Sequence, residues 1–237
     1  YHNPWVPTPW NDFLGFGINE IHYKDLLKCG YKKVLLPLFD ESDENQLKVI
    51  RKIIASYSDS KVLFICEQDQ FYRDLDTLIP DLQAKFYSAP ARSDDKLLFD
   101  KNNFNIAIHV RRGDIMTNPD DPSLAKRVLS NDYFEKVLGQ VLVYLKNVTD
   151  KPIHIYFFSQ GKPDDYPEFG KFSNLHWCMD MGAISSFLHM VYADLLITSK
   201  SSFSYKPALL NRGIKVCPKD FWHGYPNCKD WIMVDNQ

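Results

Sequence analysis

The sequence predicts an α/β protein made of two Rossmann-like domains facing a cleft. Short apolar runs at 34–36, 62–66, 106–110 and 153–158 alternate with segments of helical spacing, the pattern of βαβ units with parallel strands. A polar stretch over 88–103, with Pro90, Ala91 and a run of charges, reads as an inter-domain linker. It divides the 237 residues into an N-terminal domain, 1–100, and a C-terminal domain, 101–237, sizes that suit two small domains.

From the amino end, residues 1–10 hold three prolines and two tryptophans and read as an irregular lead-in. Residues 13–20 form a glycine-containing turn before a helix over 21–29, which Gly30 closes. A strand follows at 31–38. Residues 44–57 place Leu47, Ile50, Ile53 and Ile54 at helical spacing, and 61–66 is again a strand. Residues 70–82 suit a helix or turn ending near Pro80. After the linker comes a strand at 106–110. The next helix, 132–146, sets Phe134, Val137, Leu138, Val141, Leu142 and Leu145 on one side. Pro152 ends that region, 153–158 is a strand, and 160–170 is a loop rich in Gly, Pro and Asp. A short strand at 175–177, a helix at 182–192 and a strand at 194–198 follow. A loop enters a helix over 201–211, and 214–216 is the last strand expected.

A net charge of -2 gives no broad basic field of the kind that attracts nucleic acid or anionic membrane, so any anion site must be local. No apolar run approaches the roughly 20 residues that cross a bilayer, so no membrane span is expected in this chain. Cys29, Cys66, Cys178, Cys217 and Cys228 are odd in number and lack CxxC spacing. That argues against zinc and against a disulfide framework, and favours a reduced, cytoplasmic setting. The chain does not begin with Met, which points to an upstream segment, an anchor among the options. Asn147-Val148-Thr149 is a glycosylation sequon that decides nothing alone.

The most informative stretch is 105–115, where an alternating strand runs into Arg111, Arg112, Gly113 and Asp114. Arginine's planar fork stays charged and matches two phosphate oxygens, and α/β sheets bind ligands beyond the carboxyl ends of their strands. A diphosphate site is the first expectation. Arg112-Gly113-Asp114 also spells an adhesion tripeptide, but one abutting a core strand lacks the flexible loop that adhesion needs. A second constellation is Ile197-Thr198-Ser199-Lys200-Ser201-Ser202-Phe203-Ser204-Tyr205, where an apolar strand gives way to a hydroxyl-rich turn. Serine hydroxyls and helix amino-terminal amides together cradle phosphate. A third is Gly15-Phe16-Gly17-Ile18-Asn19-Glu20, whose glycines let backbone approach a ligand closely.

The segment His109-Val110-Arg111-Arg112-Gly113-Asp114 resembles the HxRRxD signature of the fucosyltransferase superfamily, with its α1,2, α1,6 and protein-O-fucosyl branches. Phe157-Phe158-Ser159 looks like the family's FSDD strand end, and 194–210 looks like its segment built around S-S-F-S. The Gly15 to Glu20 loop is similar to its G-x-G-N-Q loop with one extra residue. These islands span roughly residues 13 to 216 of what would be a short, divergent member.

The resemblance implies a GT-B-type, inverting, metal-independent glycosyltransferase. Its donor, a nucleotide-diphosphate sugar with GDP-fucose favoured, would be held mainly by the C-terminal domain, and its acceptor would be a glycan hydroxyl. No cofactor or metal is expected. Carried over by residue, Arg111 and Arg112 grip the diphosphate and Arg112 stabilises the leaving group. Ser201, Ser202 and Phe203 line the phosphate and nucleotide pocket, and His109 lies beneath it. Gly17 and Asn19 approach from the other domain. A carboxylate is needed to take the acceptor proton, with Glu20, Asp114 and Asp121 the candidates in that order.

Two departures bear on the donor. Gln160 and Gly161 stand where the family has aspartates, with Asp164 and Asp165 nearby, and the family's FSWW reads Phe203-Ser204-Tyr205-Lys206. The alternatives are therefore another donor sugar such as xylose or rhamnose, or a non-catalytic glycan- or nucleotide-binding module. A phosphate-ester hydrolase is disfavoured, because no metal-ligand cluster or nucleophile–base spacing is visible. His189 reads as a packed helix residue. Trp222, His223 and Tyr225 can either stack on a ligand or close the core.

Overall fold

The computed structural model describes residues 8–66, 77–118 and 120–235. Residues 1–7 of the lead-in and 70–76 of the expected helix or turn lie outside these. The chain is mixed α/β and divides into two compact units. One comprises Tyr1–Arg73 with Lys85–Ala91, and the other Asp74–Ala84 with Arg92–Gln237.

The first unit holds α1 (Thr8–Leu14), α2 (Tyr23–Lys28), β1 (Lys32–Leu35), α3 (Glu44–Ala55) and β2 (Val62–Ile65). β1 and β2 pair in parallel, with Lys32 opposite Val62, and α3 is the crossover between them. Asp43 starts α3 by accepting from the Asn45 amide at 2.8 Å, which satisfies an amide that the first helical turn leaves orphaned. The core here is small. Phe13 meets Phe86 edge to face at 5.7 Å, while Ile50 and Leu63 are buried on α3 and β2.

Two elements differ from expectation. The lead-in becomes helical from Thr8, because Trp10 and Phe13 stack edge to face at 5.6 Å along it. The region near Pro80 is the start of a helix rather than its end: α4 runs Ile79–Ser88. Proline is tolerated in a first turn, where its missing N–H costs nothing.

The second unit is organised by one six-stranded, all-parallel sheet. Its strands are β3 (Phe104–His109), β4 (Ile153–Ser159), β5 (Leu175–Met179), β6 (Leu195–Ile197), β7 (Ile214–Pro218) and β8 (Trp231–Val234). They lie in the order β5-β4-β3-β6-β7-β8. Numbered within this sheet that is 3-2-1-4-5-6, the order of doubly wound nucleotide-binding sheets. β3 is central, and Ile106, Ala107 and Ile108 are fully buried, as expected of a strand covered on both faces. β8 was not expected from the sequence. It is short and sits at the sheet edge, paired with β7 so that Lys215 lies opposite Trp231.

Between the strands run α5 (Pro122–Ala125), α6 (Asn131–Leu145), α7 (Ala183–Tyr192) and α8 (Ser202–Leu210). The Ser130 hydroxyl caps α6 by accepting from the Tyr133 amide at 3.1 Å. Phe134, Val137, Leu138 and Leu145 on the predicted apolar side of α6 are buried in the core, with Val141 and Leu142 packed against it. No helix among the described residues is long and apolar enough to cross a membrane.

Candidate functional site

Strand order reverses between β3 and β6, which are neighbours with Ile106 opposite Leu195. A sheet of this order leaves a crevice beyond the carboxyl ends of those two strands, because their crossover helices depart to opposite faces. The loops that leave β3 and β6 there are His109 to Gly113 and Thr198 to Ser202, the two constellations singled out from the sequence. The fold brings together segments about 90 residues apart, as the His109–Ser199 contact records.

A cavity of about 320 Å³ opens at this point, lined by His109, Arg111, Arg112, Ser159, Gln160, Asp180, Ser186 and Phe203, among others. His109 is 6% exposed. Its Nδ1 is 2.8 Å from the Ser199 hydroxyl, and its ring lies 5.4 Å from that of Phe203. Burial pushes its pKa down to about 3, with the nearby Arg111 charge adding to the effect. His109 is thus a neutral wall of the site at physiological pH. The buried Ser204 hydroxyl accepts from the Ser199 amide at 3.2 Å, which ties the turn to the base of α8.

Arg111 and Arg112 both line this cavity, but each is tethered differently. Successive side chains on extended backbone point to opposite sides, and Arg112 is extended at φ -139°, ψ -151°. Arg111 forms an ion pair with Asp114 and also lines a second cavity beside the start of α8. Arg112 leans toward α6. Its Nη2 donates to Asn131 Oδ1 at 2.6 Å and its Nη1 to the Arg111 carbonyl at 2.8 Å. Asn131 in turn donates to Glu168 Oε2 at 3.2 Å and to the Asp165 carbonyl at 3.1 Å. Burial draws the pKa of Arg112 down, while Tyr166 and Glu168 push it back up; arginine starts so high that it stays a cation. Gly113 has φ +72°, a conformation costly for any residue with a Cβ, and it turns the chain into a 3₁₀ turn at Gly113–Met116.

At α8 the Ser201 hydroxyl accepts from the Phe203 amide at 3.2 Å as the helix cap. The Ser202 hydroxyl lies 3.1 Å from His223 Nε2. The second cavity, about 200 Å³, is bounded by Arg111, Arg127, Lys200, Ser201, Ser202, Phe203 and Trp222. A third, about 610 Å³, lies on the other side of Arg112 against Asn131, Asp165, Tyr166 and Glu168.

The remaining candidates fall elsewhere. Asp114 is 70% exposed at its side chain and held by Arg111. Asp121 caps α5 by accepting from the Ser123 amide at 2.8 Å. Gly17 (φ 92°) and Asn19 (φ 61°) belong to the first unit, where Glu20 is ion-paired to Lys85. His189 is buried, its Nδ1 on the Ser185 carbonyl at 2.7 Å and its Nε2 accepting from the Leu98 amide at 3.0 Å. Tyr225 joins Tyr205, Phe221 and Trp231 in an aromatic cluster, whereas Trp222 stays 41% exposed.

Sequence reasoning missed Asn131, Asp180 and Ser186, and it gave Lys200, inside the serine turn, no role of its own. Asn131 stands at an ordinary helix start, and Asp180 and Ser186 reach the cavity only through the strand order. Among the described residues, no group of three or more His, Cys, Asp or Glu is placed to hold a metal ion. No protein-family model matches the chain, and no curated protein matches it either.

Proposed function

We propose that the chain is an inverting, metal-independent glycosyltransferase that moves a sugar from a nucleoside-diphosphate donor to a glycan hydroxyl, with L-fucose from GDP-fucose the first choice. What carries this is the meeting of Arg111, Arg112, His109 and Phe203 around one cavity at the strand-order reversal. The fucosyltransferase-like motif contributes the arginines, and the crevice is where sheets of this order take nucleotides.

In the reaction the acceptor hydroxyl oxygen bonds to the anomeric carbon from the face opposite the diphosphate. The bond from that carbon to the diphosphate oxygen breaks with its electron pair leaving on the diphosphate, and the hydroxyl proton passes to a carboxylate. Arg112, braced by Asn131, faces that growing charge; losing one such preorganised donor costs about 3–4 kcal/mol of transition-state stabilisation. Arg111 grips the diphosphate beside Ser201, Ser202 and Phe203 at the start of α8, whose amino-terminal end favours negative charge. A GT-B arrangement belongs to this proposal, with Gly17, Asn19 and Glu20 of the first unit facing the donor. Glu20 is the first candidate to take the acceptor proton, then Asp114, then Asp121.

Gln160 favours a second donor. It lines the cavity where the resembling family carries an aspartate, so a sugar with a different hydroxyl pattern, such as xylose or rhamnose, fits the same scaffold. A thermal-shift panel of GDP, UDP and dTDP sugars tests both. Selective stabilisation by GDP-fucose is expected, and selective stabilisation by a UDP or dTDP sugar assigns the site to the second donor class. Stabilisation without turnover over any acceptor marks a non-catalytic binding module, and no response to any nucleotide sinks the proposal.

A further inference from the structure

The cavity beside the start of α8 has three cations in its wall, Arg111, Arg127 and Lys200, and no carboxylate. Arg111 shares its charge with Asp114. Arg127 and Lys200 are in no ion pair among the described residues. The Arg127 guanidinium lies over the indole of Trp222, 5.2 Å from the ring centroid, an attraction worth little in water and more when desolvated. The Arg127 charge acts on Asp121. Its carboxyl is lowered first by its hydrogen bonds with Ser123 and only last by the Arg127 charge. Like charges gathered around a small concavity repel one another, and an anion seated among them relieves that repulsion.

The position of this cavity selects the anion. Arg111 and Phe203 line both it and the larger cavity that contains His109 and Arg112. A diphosphate seated against Arg111 therefore has Lys200 and Arg127 on its other flank. Lys200 precedes the Ser201 cap of α8, so its ammonium adds a mobile charge next to the helix's positive end.

We propose that Lys200 and Arg127 are phosphate-binding residues which, with Arg111, make a three-cation pocket for the donor's diphosphate, and that Trp222 is the platform that holds Arg127 beside it. This rests on the nucleotide-sugar reading above and adds two cations to the pair that the sequence motif supplies. It also gives the departing diphosphate charge compensation on both flanks. Trp222 reports on the event, because an anion seated against Arg127 changes the charge and solvent next to the indole.

The test is titration of the intact chain with inorganic pyrophosphate, followed by calorimetry and by tryptophan emission. The wild type binds with a change in emission, and Trp222→Phe binds but loses that change. Lys200→Ala and Arg127→Ala each weaken binding about tenfold or more, the usual cost of a lost charge-assisted hydrogen bond. Each also flattens the fall of affinity with added salt, and Lys200→Arg restores most of what Lys200→Ala loses. If Lys200→Ala and Arg127→Ala bind pyrophosphate as the wild type does while Arg111→Ala does not, the inference is overturned and the nucleotide-sugar reading stands. If the wild type binds neither pyrophosphate nor any nucleoside diphosphate, both fall together.

Discussion

His109 faces the cavity with Nδ1 on the Ser199 hydroxyl, and burial holds its pKa near 3. In an unfolded chain a histidine titrates near 6.5. From about pH 6.5 down to about 3 the unfolded chain therefore binds a proton that the folded chain refuses, and stability falls as pH falls through that window. Melting temperature measured from pH 7 to pH 4 is expected to drop more steeply for the wild type than for His109→Asn, which has no imidazole to charge. Parallel curves would mean that His109 is not held neutral by the fold. At this scale the arginine pair and the serine turn were legible, because each is a short run of unusual residue types. Their partners were not. Asn131, which braces Arg112, is 19 residues from it, and its sequence context is that of an ordinary helix start.

Among the elements, α8 shows how the site is anchored from behind. It is capped by Ser201 in front and followed by Asn211, which is fully buried. The two N–H bonds of the Asn211 side chain are shared among the carbonyls of Met190, Val191 and Ala193 at 3.0, 3.0 and 2.8 Å. Its Oδ1 accepts from the Gly213 amide at 2.7 Å. One side chain thus joins the end of α7, the end of α8 and the start of β7. Asn211→Ala leaves several buried carbonyls unpaired and is expected to cost on the order of 3 kcal/mol, read as a lower denaturation midpoint with an unchanged slope; a loss below about 1 kcal/mol would contradict that role. The centres of β3, β4 and β6 (Ile106 to Ile108, Ile155 to Phe158 and Leu195 to Ile197) were legible as apolar runs, since parallel strands buried on both faces need them. β8, Trp231-Ile232-Met233-Val234, is as apolar as the strands that were read, and it escaped notice because it is only four residues long. α1 and α4 escaped because prolines next to a helix start read equally well as loop.

For the whole molecule, alternation of strands and helices gave the α/β class but not the order of the strands. That order, 3-2-1-4-5-6 in the second unit, is set by packing across about 130 residues and leaves no local mark. It is also what converts two separate motifs into one site, by setting β3 beside β6 so that the arginine turn and the serine turn leave the sheet together. Lys215, buried in β7, shows how far that packing is specified. Its ammonium is paired with Asp230 and bonded to the Asn211 and Gly213 carbonyls at 3.2 and 3.0 Å, a full set of partners for a charge that would otherwise be costly to bury. The central claim is that Arg112 carries the charge of a departing diphosphate. Sugar transfer from the donor that stabilises the wild type, measured in Arg112→Ala with its far-ultraviolet circular dichroism and melting temperature checked, tests it most directly. The account predicts an intact fold with turnover reduced at least about a hundredfold; a folded variant that turns over at the wild-type rate would contradict it.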